Sequence, residues 1–215
     1  MYNLDTKAAR QADTSGAQIK ELGKYVGEFT QAKVLVSKNT GAKGIEFAFK
    51  SSAGQKANLS IYTMSASGEH YQGYDALMAI MTCMSLRTIK PVAGKATRYD
   101  FDAKKEVIED AEIFPELAKP IGILLETEDY TNGKGAQATR MVLKNVFKPG
   151  TELTASEILD NKTVPQALEK MVAGLRHRPN KNKPKAPTYA EHDDFNYSGK
   201  PSGSNSPDDE SDIPF

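Results

Sequence analysis

Between Gly23 and Thr63 the chain alternates apolar and polar side chains in three successive runs, each closing on turn-forming residues. A period of two puts alternate side chains on opposite faces of an extended segment, which commits that segment to a strand with one buried face. In the first run Tyr25, Gly27 and Phe29 alternate with Val26, Glu28 and Thr30, and the run continues into Val34-Leu35-Val36. Lys38-Asn39-Thr40-Gly41-Ala42-Lys43-Gly44 then supplies turn chemistry. In the second run Ile45, Phe47 and Phe49 alternate with Glu46, Ala48 and Lys50. After the turn residues 51–55, Leu59, Ile61 and Thr63 alternate with Asn58, Ser60 and Tyr62. Three such runs joined by short turns predict an antiparallel meander.

The period then changes. Leu77, Ile80, Met81 and Met84 fall three and four apart within residues 74–86, with Asp75 near the start, predicting an amphipathic helix of about three turns. A polar stretch with Pro91 and Gly94 follows, then a short strand at 97–101, and residues 104–119 show no period. Residues 120–128 and 141–147 read as strands around the flexible turn Asn132-Gly133-Lys134-Gly135. Residues 154–160 and 164–175 read as helices, with Thr154 as N-cap and Pro165 in a first turn. Three strands, a helix and two more strands is the order of the five-stranded OB-fold barrel, which carries its helix between strands three and four. The predicted fold is therefore mainly β: an OB-fold-like barrel with extra C-terminal helices, spanning 1–175, with a loose polar arm at 1–18.

The formal net charge is zero, but the charge is segregated. Residues 1–175 carry 22 basic and 21 acidic side chains. Residues 176–189 form a basic neck of Arg176, Arg178, Lys181, Lys183 and Lys185 with no acid, and residues 190–215 carry Lys200 against seven acids. From 176 onward no aliphatic residue larger than alanine occurs before Ile213. Such a segment cannot bury enough apolar surface to offset its ordering entropy, so 176–215 is expected to be a disordered linker. Its last eight residues place Asp208, Asp209, Glu210 and Asp212 before Ile213, Pro214 and Phe215. An acidic run that only solubilises needs no Ile and no Phe. The combination is expected of a peptide ligand for a partner pocket with an apolar slot and basic groups.

Several classes are excluded or disfavoured. The single Cys83 lies in an apolar run, cannot form an internal disulfide, and fits a reducing cytoplasm. No apolar run approaches membrane-spanning length, and no signal-like segment opens the chain. His70, His177 and His192 are too scattered for a metal site, and no phosphate loop or nucleophile elbow occurs. Glu126, Glu128 and Asp129 at a strand end suit Mg²⁺ ligation less well than a solvated face. The expectation is a non-catalytic protein without a cofactor or metal.

A binder of single-stranded nucleic acid needs a cationic groove and flat rings on which bases stack. Lys33, Lys38, Lys43, Lys50 and Lys56 cluster around the first turns, and alternation points Tyr62 outward beside Asn58 and Ser60. A second cluster, Tyr130, Lys134 and Arg140, surrounds the later turn, where Gly133 and Gly135 provide freedom to close. With no Trp in the chain, stacking falls to Tyr and Phe. The neck cations extend the track or simply begin a solvated linker, and Tyr189, Phe195 and Tyr197 add aromatics beyond them.

The acidic Ile-Pro-Phe end resembles the C-terminal tip of bacterial single-stranded DNA-binding proteins. That resemblance implies recruitment of replication, recombination and repair enzymes by residues 208–215. The segment Ser37-Lys38-Asn39-Thr40-Gly41-Ala42-Lys43-Gly44-Ile45-Glu46-Phe47, after Gly23-Lys24-Tyr25-Val26-Gly27, resembles the front of a group of phage-encoded single-stranded DNA-binding proteins, over roughly the first 65 residues. The bacterial proteins have a smaller DNA domain and commonly stack on Trp, so their assembly and binding residues do not carry over. Together these resemblances imply a sequence-tolerant protein that coats single-stranded DNA in phage replication and recombination, inside the bacterial cytoplasm. The rival expectations are an OB-like protein-binding adaptor that never touches DNA, and a recombination mediator or annealing protein.

Overall fold

The computed structural model describes residue 6 and residues 17–100, 105–132 and 135–180, with only the backbone of Tyr99 and Asp100. These residues belong to the unit Met1–Lys181; Asn182–Phe215 forms a separate unit outside the described residues. The chain runs β1 (Gly23–Val36), β2 (Lys43–Ser51), β3 (Lys56–Met64), α1 (Gln72–Cys83), β4 (Val92–Asp100) and β5 (Lys105–Ile113). A 3₁₀ turn at Pro115–Leu117 leads to β6 (Pro120–Thr131), β7 (Gln137–Phe147), α2 (Ala155–Leu159), α3 (Leu168–Ala173) and β8 (His177–Arg178).

The meander forms as its alternation predicts. β1 pairs antiparallel with β2, with an irregularity between Phe29 and Gln31, and β2 pairs antiparallel with β3. Phe29, Phe47, Phe49, Leu59 and Ile61 are all buried, and Phe29 packs against Phe47 with ring centroids 4.4 Å apart. The first half of β1 also pairs with β6, from Gly23↔Leu125 to Glu28↔Pro120, and β6 pairs antiparallel with β7. Ile121, Ile123, Leu125 and Val146 close the core from that side, and α1 adds Leu77, Ile80 and Cys83. Leu124 and Phe147 form a second cluster with Leu168 of α3.

The strand path β3-β2-β1-β6-β7 does not close. β3 and β7 are not ladder partners, so the sheet is open where a closed barrel was expected. The antiparallel hairpin β4–β5 branches from β1 through the single pair Lys33↔Ile113.

Four other expectations need correction. The short strand at 97–101 is the end of the longer β4, and the segment without a period contains all of β5. The reason is an inverted pattern in β5. Glu109 turns inward to meet Lys33, while Ile108 on the opposite face is 72% exposed. The helix at 164–175 shrinks to Leu168–Ala173, leaving Pro165 outside it. The loose arm at 1–18 gives way at its last two residues, because the Ala17 carbonyl accepts from the Lys56 N–H at 2.8 Å and Gln18 bridges Lys56 in parallel. His177 and Arg178, expected in a disordered linker, form a parallel strand on β6. Thr154 does open a helix as expected, with Glu157 reaching back to its N–H at 3.0 Å.

Candidate nucleic-acid interface

The outer face of the meander is set by strand register. Lys33 lies opposite Glu46, Ala48 opposite Asn58, Lys50 opposite Lys56, and Gly44 opposite Tyr62. Along β3, Lys56, Asn58, Ser60 and Tyr62 are exposed while Ala57, Leu59 and Ile61 are buried, so Tyr62 points outward as its spacing predicts. Lys50 and Lys56 stand directly across from each other, an arrangement of like charges that costs stability in a sheet. Lys56 is eased by Glu106 of β5 at 3.5 Å; Lys50 stands across from Glu28 of β1 but makes no close ion pair among the described residues. An anionic ligand would relieve the pair.

The hairpin β4–β5 stands beside this face and turns it into a groove of about 440 Å3. Thr30, Ala48 and Asn58 line the sheet side, Thr97 and Glu106 the hairpin side, and Lys50 and Lys56 sit between them. Lys38 and Lys43 flank the β1–β2 turn, both exposed. That turn is closed by the Ser37 N–H donating to the Ala42 carbonyl at 2.8 Å, with Gly41 at φ 67°.

Lys33 does not belong to the open face. It is only 7% exposed, and its Nζ lies 3.0 Å from Glu109 Oε1 and 3.4 Å from Glu46 Oε1. Arg98 holds the other Glu109 oxygen at 3.0 Å. The Lys33 ammonium first, and the Arg98 guanidinium second, hold the Glu109 carboxyl below the usual carboxylate range. A lysine bound this way fastens the hairpin and has little to offer a phosphate.

The second predicted cluster is partly neutralised. Arg140 donates to Glu128 Oε2 from Nη2 at 2.6 Å and from Nε at 2.8 Å, and its guanidinium lies 5.3 Å from the centroid of the Tyr130 ring. The ring and the cation form one unit, so stacking is its readiest use. Lys134 lies outside the described residues, as do Lys181, Lys183, Lys185, Tyr189, Phe195, Tyr197 and the whole tip from Asp208 to Phe215.

Two features escaped the sequence reading. Lys144 of β7 faces the space between β3, α1 and β7, together with Tyr62 and Arg178. The run 141–147 has no apolar–polar alternation that would assign Lys144 a face, since period two groups it with Val142 and the buried Val146. Tyr71, 43% exposed, and the His70–Tyr74 stack, 3.8 Å between centroids, add aromatic surface at the start of α1.

The acidic trio is only in part a solvated face, since Glu126 is buried while Glu128 and Asp129 stay partly exposed. Glu126 is 1% exposed with its Oε2 accepting from Arg178 Nε, Glu128 is bound by Arg140, and Asp129 accepts from His177 Nε2 at 3.0 Å. Each carboxylate is thus held within the fold. Among the described residues no group of three or more His, Cys, Asp or Glu side chains could hold a metal ion. Burial pushes the Cys83 thiol up to about 11, partly offset by Lys148. No described helix is long and apolar enough to cross a membrane. No protein-family model and no curated protein matches the chain.

Proposed function

We propose that this protein binds single-stranded DNA without strong sequence preference, on an OB-like arrangement of β1, β2, β3, β6 and β7. The observation that carries the reading is the outward face of the meander. Opposed Lys50 and Lys56, flanked by Glu28 across from the one and Glu106 at 3.5 Å from the other, share a strand face with the exposed Tyr62. Phosphates neutralise the first pair and a base stacks on the second element, the two contacts a single strand offers regardless of sequence. No step of this reading requires catalysis, a cofactor or a metal. The strand order supports it: β1 pairs with both β2 and β6, and α1 follows β3, as in the OB topology with the β4–β5 hairpin inserted before the fourth barrel strand.

In this reading the protein coats single strands during phage replication or recombination in a bacterial cytoplasm. The acidic segment 208–215, with Ile213, Pro214 and Phe215, recruits replication, recombination or repair proteins. Titration of fluorescent oligo-dT with the full chain, across a salt series and with duplex DNA as control, tests it. Salt-sensitive binding of oligo-dT in preference to duplex is the expected result. Its absence would leave a protein-binding adaptor as the better description.

A further inference from the structure

The strand path ends on β3 and β7, and between those ends and α1 lies a cleft of about 380 Å3. Ser60 and Tyr62 of β3, Gln72 and Asp75 of α1, Lys144 of β7 and Arg178 of β8 line it. Tyr62 belongs both to this cleft and to the outer face described above. We propose that the cleft is a nucleotide subsite at the end of the DNA track, where one base stacks on Tyr62 and the adjoining phosphate is held by Arg178 and Lys144. The inference rests on the single-strand-binding reading and names where the strand goes after crossing β3.

Three observations carry it. The first is how Arg178 is mounted. Its Nε donates to Glu126 Oε2, and no other partner of the guanidinium is found among the described residues. A guanidinium fixed through one nitrogen keeps its terminal N–H groups for an anion, and its planar fork suits a phosphate. The backbone behind it is also held. β8 pairs with β6 at Thr127↔His177 and Glu128↔Arg178, and the His177 ring joins Thr127 Oγ1 at 2.9 Å to Asp129 Oδ2 at 3.0 Å. The Glu126 carboxylate is 1% exposed, and its Oε1 has no hydrogen-bond partner among the described residues. A buried carboxylate left half-satisfied is a costly way to make a purely structural ion pair, and a reasonable way to fix a cation in place.

The second observation is charge. Lys144 is exposed without a carboxylate partner among the described residues, and it adds a second cation beside Arg178, whose charge Glu126 already balances. The one carboxylate in the lining itself, Asp75, belongs to α1, which favours placing the phosphate toward β7 and β8 and the base toward α1. Gln72 then faces the base with an amide that both donates and accepts, which suits any of the four bases.

The third is how the cleft is built. A Cβ on Gly73 would lie 2.2 Å from the Tyr62 carbonyl oxygen, so glycine allows α1 to begin directly against β3. The cleft volume falls within the range of about 300–1,000 Å3 typical of small-ligand sites.

The test compares oligo-dT affinity across a salt series for the wild type, Lys144→Ala, Lys144→Arg and, on the outer face, Lys50→Ala, with melting curves to check folding. Arg178→Ala is avoided, because it would leave Glu126 buried and unpaired. Lys144→Ala is expected to weaken binding about fivefold at low salt and to reduce the salt slope by about 0.7, one phosphate on a single strand. Lys144→Arg should restore both. Unchanged affinity and slope in Lys144→Ala, with Lys50→Ala weakened, would overturn the cleft subsite and leave the single-strand-binding reading standing. A loss that Lys144→Arg fails to restore would also count against it. If the wild type shows no salt-sensitive oligo-dT binding, the underlying reading itself fails.

Discussion

The side-chain amide of Gln31 pairs with the backbone of Thr97 as a neighbouring strand would: Nε2 donates to the Thr97 carbonyl at 3.2 Å, and Oε1 accepts from the Thr97 N–H at 2.7 Å. β1 and β5 share only one ladder pair, Lys33↔Ile113, so this side chain and the nearby Lys33–Glu109 contact do much of the fastening. Both come from the outward face of β1. They hold the β4–β5 hairpin beside the meander, which is what converts a flat strand face into a groove.

Lys33 and Lys50 should therefore behave differently. Lys33→Met removes a charged hydrogen bond at a part-buried site and should cost about 1.5–3 kcal/mol in urea unfolding. Its oligo-dT affinity should stay within about twofold of wild type, while Lys50→Ala weakens binding by about fivefold. Equal losses of affinity would put Lys33 back into the interface.

Glu157 should shape the acid limb of stability. Its carboxylate accepts from the backbone N–H groups of Thr154 at 3.0 Å and Gln166 at 2.7 Å, and from that of Ala167 at 3.0 Å. These bonds, that of Thr154 first, hold its pKa at about 2, against about 4.3 in an unfolded chain. The folded value is the lower one, so the contribution is complete above the unfolded pKa and is lost as pH falls through the folded pKa, between about 4.3 and 2. Glu157→Gln should melt a few degrees lower at pH 7 and lose part of that acid-dependent decline. Parallel Tm-versus-pH curves for the two proteins would contradict this.

Cys83 should be inert in the native protein. With its thiol pushed up to about 11 by burial, only about one in a thousand molecules carries the thiolate at pH 8. A thiol reagent such as DTNB should react stoichiometrically in denaturant and negligibly without it. Rapid labelling under native conditions would mean that the α1 side of the core opens easily.

Gly73→Ala should destabilise the fold despite the better helix propensity of alanine. The new Cβ would meet a backbone oxygen, which cannot swing aside as a side-chain end could. Overpacking of this kind costs about 1–3 kcal/mol, more than the roughly 1 kcal/mol gained from propensity. A urea midpoint at or above that of wild type would show that α1 shifts without penalty.

Deleting residues 208–215 should tighten oligo-dT binding at low salt. Residues 190–215 carry seven acids against one lysine, and the deletion removes four of those acids from competition with phosphates for the same cations. The difference should fade toward ~1 M salt, where the screening length is about 3 Å. Unchanged or weaker binding at low salt would argue that the tip does not compete with DNA.

The legible parts of the fold are those in which each residue's place depends on its near neighbours. Phe47, Phe49, Leu59 and Ile61 are buried and Asn58, Ser60 and Tyr62 are exposed, following directly from period two. Leu77 and Ile80 lie on the buried stripe of α1 by the same logic with a longer period. β5 was illegible because its inward charge is satisfied by Lys33, 76 residues away in sequence. His177 and Arg178 looked like solvated linker because their partners, Thr127, Asp129 and Glu126, lie about 50 residues upstream.

From the sequence alone came the strand meander, the helix after it, the outward Tyr62 and the segregation of charge into a basic neck and an acidic end. Alternation, turn chemistry and composition are local properties, and a single chain carries them openly. Tertiary structure decided which lysines remain free. Lys33, Lys38, Lys43, Lys50 and Lys56 look equivalent in sequence. The arrival of Glu109 and Glu106 on a distant hairpin, with Glu46 beside Lys33, withdraws the first, shares the last and leaves the other three exposed. An ion pair between distant segments leaves no periodic mark on either one, so it becomes visible only when the fold brings the two charges together.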